Sequence, residues 1–143
     1  MRSLTLPRQF ARTRRFTLGV PSSFTLTPDG TTVLFLRSRS GHDPVTCLWA
    51  LDADSGRERL LVDPAEAAGE PGAGIAGYAT DDAARLAAFV LAGAVWTVDV
   101  ADGRVRRLPT RGPAADPRPD PAGRRVAYAS RGALRVFEAD GSA

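Results

Sequence analysis

Short runs in which apolar and polar residues alternate, each bounded by turn residues, make up most of this chain. Two such runs, at residues 23–26 and 33–36, flank Pro28-Asp29-Gly30. Alternation with a period of two is typical of a strand that buries one face. Proline presets φ for a turn and glycine accepts a positive φ, so residues 22–37 predict an antiparallel hairpin.

The same hairpin pattern returns twice further along the chain. Residues 75–91 and 115–130 each hold two short runs around a turn. The predicted turns are Asp81-Asp82-Ala83 and Pro121-Ala122-Gly123. With Val33, Leu86 and Val126 taken as equivalent, the repeat intervals are about 53 and about 40 residues, the range of propeller blade repeats.

A second half follows each hairpin and repeats as well. Alternating runs that end on Asp52, Asp99 or Glu138 are each followed by an Ala-Asp turn. The further predicted strands cover residues 48–52, 57–62, 95–99, 104–108 and 134–138. Trp49 and Trp96 fall at the same place in the repeat, which favours aromatic residues that pack between blades. Four strands joined in this way form one propeller blade.

The repeats predict an all-β fold, an open arc of about three propeller blades made of antiparallel four-stranded sheet. The units span residues 22–62, 75–108 and 115–143, after an N-terminal arm at residues 1–21. A propeller closes with roughly four to eight blades, so an arc of this size leaves an apolar flank exposed. The propeller is therefore predicted to be incomplete.

The stretch rich in proline, glycine and alanine at residues 63–74 separates the first two units. It has no apolar periodicity, which predicts an exposed loop. Residues 65–68 could form a helical turn, but the sequence shows nothing that would anchor it.

Composition and charge fit a globular protein, with 43% apolar and 24% charged residues. All 19 basic residues are arginine, and the net charge is +3. Five arginines precede the first acid, Asp29: Arg2, Arg8, Arg12, Arg14 and Arg15. We interpret them as part of an arm across the propeller, solvated or paired with acidic turns; an anionic partner is the alternative. A nucleic-acid partner is not expected, because such surfaces cluster basic residues on one face.

The sequence predicts a cytoplasmic protein without a membrane partner. Thr13-Arg14-Arg15-Phe16 resembles a twin-arginine signal, but the run after it is short and broken by Gly19 and Pro21. No segment approaches the roughly 18 continuous apolar residues of a membrane span. Cys47 is the only cysteine and is interpreted as a small buried residue rather than a nucleophile.

No catalytic, cofactor-binding or metal-binding residue is predicted. Residues 72–77 match G-x-G-x-x-G with Asp99 about 20 residues later, but a dinucleotide site needs a strand before the glycines and a helix after them. The residues that follow the glycines are explained better by the strand and turn of the repeat than by a dinucleotide site. A serine hydrolase elbow, G-x-S-x-G, is absent. His42, the only histidine, is interpreted as a solvated loop residue, and with one cysteine it makes no zinc site.

The run at residues 11–21, followed by residues 24–30, is similar to the N-terminus of bacterial dipeptidyl peptidase IV-like proteins of the prolyl oligopeptidase class. Further similar pieces lie at residues 33–38, 43–49, 74–81, 116–119 and 123–128. The resemblance implies a serine exopeptidase in which an N-terminal propeller admits short peptides to a C-terminal α/β-hydrolase domain. In that family a propeller glutamate pair grips the substrate ammonium. Glu66 and Glu70 lie in the linker and do not match that motif, and the sequence stops before the hydrolase domain.

The sequence therefore predicts the substrate-gating propeller fragment of such a peptidase, inactive by itself. Its expected partners are short peptides and the missing hydrolase domain. The alternative is a non-catalytic WD40-like or TolB-like propeller module for protein–protein interaction.

Overall fold

A computed structural model describes residues 5–142 and arranges their strands in three antiparallel sheets. The first sheet, blade 1, contains β1 (Ser22–Leu26), β2 (Thr32–Ser38), β3 (Thr46–Asp52) and β4 (Glu58–Val62). Blade 2 contains β5 (Tyr78–Thr80), β6 (Leu86–Leu91), β7 (Ala94–Asp99) and β8 (Val105–Arg107). Blade 3 contains β9 (Ala115–Pro119), β10 (Arg125–Ser130) and β11 (Ala133–Glu138). Two short helices, α1 (Leu6–Arg12) and α2 (Pro64–Ala68), precede blades 1 and 2.

Strands that are neighbours in a sheet are also consecutive in the sequence, so each blade is a simple meander. This confirms the predicted all-β fold, with two four-stranded units and a third unit that has three strands among the described residues. Trp49 lies in β3 and Trp96 in β7, the equivalent third strands of their blades.

The strand register corrects one predicted equivalence. The first residue of each second strand lies opposite the acid that ends the third strand: Thr32 pairs with Asp52, Leu86 with Asp99, and Arg125 with Glu138. Leu86 therefore corresponds to Thr32, and Val33 corresponds to Ala87 rather than to Leu86. The mistake arose because Leu86 is apolar where the other blades have a polar residue, so the alternation started one position early.

The turn of blade 2 is also displaced by one residue from its predicted position. It consists of Asp82, Ala83 and Ala84, and Ala84 takes a φ of 52° where Gly30 and Gly123 take 73° and 69°. Asp81 belongs to the flank of the turn, because its backbone N–H donates to the carbonyl of Leu86 at 3.1 Å. Alanine in the left-handed position hid the correct turn, since glycine is the usual signal there.

One face of each blade packs against the next blade and builds the core. Leu34, Leu36, Leu48 and Ala50 of blade 1 form a cluster with Ala87, Phe89 and Val98 of blade 2. Ala88 and Val95, on the other face of blade 2, form a second cluster with Val126 and Tyr128 of blade 3. Because β6 is covered on both sides, three consecutive residues, 87–89, are fully buried.

The linker prediction is wrong at residues 65–68, which do form part of a helix. The Asp63 side chain accepts a hydrogen bond from the backbone N–H of Ala65 at 3.1 Å, and Gly69 ends the helix in the left-handed conformation. Pro64, the first helical residue, is buried. An N-cap, a proline at the start and a C-terminal glycine are enough to anchor the single turn.

Candidate functional site

The first strands of the blades lie side by side. Tyr78 of β5 joins its strand to β1, and β5 also contacts β9. Strands that meet in this way form the inner side of an arc of blades, which in a propeller surrounds the central channel. The inner side of the arc is therefore where a ligand would be held by more than one blade.

Tyr78 locks blade 2 onto blade 1 through its hydroxyl group. The Oη atom lies 2.6 Å from the carbonyl oxygen of Ser23, 2.9 Å from Oγ1 of Thr25 and 3.1 Å from the carbonyl oxygen of Leu34. A bulge in β1, where Ser23 has a φ of 56°, lies at this contact. Burial raises the pKa of the Tyr78 phenol, against a smaller lowering by the Thr25 hydroxyl. The group therefore stays protonated and can donate.

A groove of about 380 Å³ lies beside Tyr78, between β5 and β9. Small residues leave most of its space open: Ala76, Gly77, Ala79, Ala114 and Ala115. At its other side Arg118 pairs with Asp116, with Nε–Oδ1 and Nη2–Oδ1 distances of 2.9 and 2.7 Å. The volume is within the range of small-ligand sites. A largely exposed carboxylate and guanidinium beside an apolar groove can bind the charged ends or the amides of a peptide.

A second groove, of about 470 Å³, lies between the β1–β2 turn and the β5–β6 turn. Its carboxylate, Asp29, is already used within its own turn, where Thr27 Oγ1 and the N–H of Thr31 donate to Oδ1 at 2.7 and 3.0 Å. These hydrogen bonds lower the pKa of Asp29. Asp29 therefore stabilises the hairpin, and the groove offers less for a ligand than the groove between β5 and β9.

The residues considered earlier for chemistry do not come together. His42 is exposed in the β2–β3 loop, whereas Cys47 is 1% exposed in β3, and burial raises the pKa of its thiol. The interpretation of Cys47 as a small buried residue is confirmed. Within residues 5–142 no three His, Cys, Asp or Glu side chains are grouped so that they could hold a metal ion. In the same range, no helix is long and apolar enough to cross a membrane.

The glycines at residues 72–77 do not have the setting of a dinucleotide site, and Gly74 is needed for packing. They lead into the strand β5, whereas a phosphate-binding glycine loop opens a helix. A Cβ atom at Gly74 would lie 2.9 Å from the backbone nitrogen of Thr46, and the N–H of Ile75 donates to the Thr46 carbonyl at 3.0 Å. Gly74 therefore lets the linker lie directly against β3.

Trp49 and Trp96 have the same structural role in their blades. Each indole N–H donates to a carbonyl of the preceding strand, Trp49 to Arg37 at 2.9 Å and Trp96 to Leu91 at 3.0 Å. By register the equivalent position in blade 3 is Arg135. The repeated indole hydrogen bond supports the interpretation of both tryptophans as blade residues.

The arginines of the N-terminal segment are exposed and form no ion pairs where the structure describes them. Salt bridges within residues 5–142 join other arginines to acids, so pairing of Arg8, Arg12, Arg14 and Arg15 with acidic turns is not observed. Arg2 lies outside the described residues. The segment contacts blade 1 at Gly19, whose N–H donates to Oγ of Ser38 at 2.8 Å.

Sequence reasoning did not single out the residues that line the groove. Tyr78 occupies the register position of Phe24 in blade 1, and a tyrosine where the preceding blade has phenylalanine was a signal that a hydroxyl has a local partner. Asp116 and Arg118 are two residues apart in a first strand, so the sequence places their side chains on one face of that strand. Only the placement of β9 beside β5 makes them part of a groove.

No family model matches the sequence, and a search of curated proteins finds no match. Solved structures do resemble the fold. TolB from Acinetobacter baumannii gives a TM-score of 0.59 over 85% of this chain and 31% of that chain, at 16% identity. A prolyl endopeptidase structure gives 0.60 over 84% and 19%, at 18% identity. The β-propeller domain of Cps50 (Swd1) from Myceliophteria thermophila gives 0.56 over 82% and 38%, at 13% identity.

The fold is a partial β-propeller. Likeness at these identities shows the architecture alone, and propellers carry many unrelated functions. The chain spans between 19% and 38% of the length of these three structures. The propeller class that the sequence predicted is therefore confirmed.

Proposed function

We propose that this chain is a substrate-admitting part of the propeller of a dipeptidyl peptidase IV-like serine peptidase. The observation that carries the proposal is the groove between β5 and β9, which lies on the inner side of the arc and has a charged pair at one side. The similarity of residues 11–21 to that class and the likeness in fold to a prolyl endopeptidase support it. The activity itself requires a hydrolase domain on another segment.

The groove fits a short peptide better than a rigid cofactor. Backbone atoms and small side chains line most of it, so an extended segment can approach closely. The Asp116 carboxylate can accept hydrogen bonds from an N-terminal ammonium, while Arg118 can donate to a peptide carbonyl. Binding at this groove positions a peptide, and cleavage needs a nucleophile, a base and oxyanion donors elsewhere.

A titration with Ala-Pro amide tests the proposal on the 143-residue protein, with binding followed by the backbone NMR signals of β5 and β9. We expect the signals of residues 76–79 and 114–118 to shift, and N-acetylation of the peptide to weaken binding by about tenfold. Asp116→Asn should weaken binding of the free amine alone. Asp54→Asn is the matched control, because Asp54 is exposed in the β3–β4 turn, away from the groove. Absence of shifts, or equal binding of the acetylated peptide, would contradict the proposal.

The second candidate is a non-catalytic propeller that scaffolds other proteins. Its support is the exposure of Phe24 and Leu26 in blade 1 and of Leu134 and Val136 in blade 3, together with likeness in fold to TolB and to a Swd1 propeller domain. The same titration separates the two candidates, since a scaffold has no reason to prefer a free N-terminal ammonium.

A further inference from the structure

A third groove, which we call the arm groove, lies between the N-terminal segment and the strands of blade 1. It has a volume of about 400 Å³, within the range of small-ligand sites. Residues of the segment 14–20 form one wall, and the opposite wall contains Leu36 and Ser38 of β2 and Thr46 of β3. Both walls therefore belong to this chain.

The N-terminal wall packs directly against the loop between β2 and β3. The N–H of Gly19 donates to Oγ of Ser38 at 2.8 Å, and Oγ of Ser38 donates to the carbonyl of Ser40 at 3.0 Å. A Cβ atom at Gly19 would lie 3.1 Å from the backbone nitrogen of Gly41. Ser38 is 4% exposed, so this contact is buried. The arm groove is therefore a built part of the fold, with its two walls fixed to each other.

The turn that carries Arg14 has an unfavourable backbone conformation. Arg14, Arg15 and Phe16 have φ angles of 47°, 64° and 60°, a left-handed run that is costly for residues with a Cβ. The buried Thr13 maintains it, because its Oγ1 donates to the Gln9 carbonyl at 2.8 Å and accepts from the N–H of Phe16 at 2.9 Å. Backbone strain that the surrounding structure maintains is concentrated at binding and active sites.

The charge of the arm groove is positive. Arg14 lines it and is exposed, and within residues 5–142 its guanidinium forms neither an ion pair nor a hydrogen bond. Arg37 also lines it but is paired with Glu58, with an Nη2–Oε2 distance of 2.6 Å. No aspartate or glutamate is among the described residues that line the groove. The uncompensated charge of Arg14 therefore favours an anion.

Two hydroxyl groups on the strand side of the arm groove are available to a ligand. Within residues 5–142 the side chains of Ser22 and Thr46 form no hydrogen bond with the protein, whereas Oγ1 of Thr17 donates to the Arg14 carbonyl at 2.6 Å. Leu18 and the buried Leu36 add an apolar surface beside them. A guanidinium and hydroxyl donors around a small apolar surface suit an oxyanion that is attached to an apolar group.

We propose that the arm groove binds a small organic oxyanion, a carboxylate or a phosphate monoester. Its charged group meets Arg14 and the hydroxyls of Ser22 and Thr46, and its apolar part lies against Leu18 and Leu36. The planar fork of a guanidinium matches the oxygens of either group. The arm groove shares no lining residue with the groove between β5 and β9. This inference therefore does not depend on the proposed peptidase function, and the failure of one leaves the other standing.

Titration of the 143-residue protein with benzoate and with phenyl phosphate, followed by backbone NMR signals, tests the proposal. We expect the signals of residues 14–20, 36–38 and 46 to shift with at least one of these probes, and their comparison identifies the preferred oxyanion. Benzyl alcohol, which lacks the charge, and inorganic phosphate, which lacks the apolar part, should each bind about tenfold more weakly or less. No shift with either probe, or equal binding of benzyl alcohol, would overturn the proposal.

Variants of two neighbouring arginines separate a site from general attraction between charges. Arg14→Gln should weaken binding of the preferred probe by about tenfold or more, because a charge-assisted contact is lost. Arg12→Gln is the matched control, since Arg12 is exposed on the same segment but does not line the groove, and it should leave binding unchanged. If Arg14→Gln loses the circular dichroism signal of the fold, Arg14→Asn replaces it, because asparagine tolerates a positive φ. Equal weakening by the Arg12 and Arg14 variants would contradict a site at Arg14.

Discussion

Two tyrosine hydroxyls in this protein have opposite environments, and removing each one tests how the blades are joined. The Tyr78 hydroxyl lies within 3.1 Å of three oxygen atoms of blade 1. The Tyr128 hydroxyl is buried between blades 2 and 3 and is without a hydrogen-bond partner within residues 5–142. The same chemical change, Tyr→Phe, should therefore have opposite effects on the free energy of unfolding.

Tyr78→Phe deletes a half-buried hydroxyl that donates to the exposed Ser23 carbonyl, which lowers the free energy of unfolding by about 1 kcal/mol because one hydrogen bond is lost. For a chain of this length that is a fall in Tm of roughly 3–4 °C. Tyr128→Phe removes a hydroxyl that was desolvated without compensation, so stability should stay level or rise by about 1 kcal/mol. Both values are compared at one protein concentration, since self-association shifts Tm.

The pH dependence gives a second readout for Tyr78. Its folded pKa is raised above the ordinary value of 10.0, so the unfolded chain loses this proton first as the pH rises. The stability that the protonated Tyr78 hydroxyl contributes is fully present below pH 10 and is lost as the pH rises through the folded pKa. The wild type should lose stability above pH 10 more steeply than Tyr78→Phe. Equal melting of wild type and Tyr78→Phe, or destabilisation by Tyr128→Phe of the same size, would refute the reasoning.

Three further predictions concern turns and chemistry. Gly30→Ala should lower the free energy of unfolding by about 1 kcal/mol because of the positive φ alone, since an added Cβ meets nothing within 4 Å. Gly123→Ala should lower it further, because its Cβ would lie 2.9 Å from Oδ2 of Asp81. Urea unfolding measures both changes. Backbone hydrogen bonds lower the pKa of Asp52 and Asp120. The stability that these carboxylates contribute is therefore present above the unfolded pKa of 3.8 and is lost as the pH falls through the folded pKa. In acid titrations, the free energy of unfolding of Asp52→Asn and of Asp120→Asn should depend less on pH than that of the wild type. The purified chain should not hydrolyse a chromogenic Gly-Pro amide; turnover that disappears in His42→Ala would make His42 catalytic, contrary to this expectation.

Much of the fold follows from local sequence signals. Alternation and turn chemistry located the described strands to within a few residues, although the run before Pro121 that forms β9 is less regular than the others. The register of blade 2 was harder, because Leu86 and Ala84 stand where the other blades have a polar residue and a glycine. Helix α2 has ordinary capping residues in Asp63, Pro64 and Gly69, so its ends were predictable from the sequence. The helix was missed because these residues enclose only one turn, too short to show an apolar periodicity.

The candidate groove could not be predicted in the same way. Its two sides, β5 and β9, come from different blades, and nothing local to either strand fixes the distance between them. Tyr78 finds its partners in β1 and β2, 44 to 55 residues earlier in the chain, and the bulge at Ser23 that forms one of them has no sequence signature. Contacts between blades depend on how whole sheets stack on one another. The sequence pattern within a single repeat does not predict that stacking.

The burial of β6 on both faces has a consequence for how the molecule opens. Ala87, Ala88 and Phe89 contact neighbours on opposite sides, so the strand cannot separate from one blade without disturbing the other. Its amide protons should exchange with solvent only when the whole arc unfolds. In contrast, the edge strand β11 is exposed over Ala133–Val136 and should exchange through local fraying. Hydrogen exchange should therefore rank the strands from the centre of the arc outward, with the middle blade as the slowest-exchanging unit.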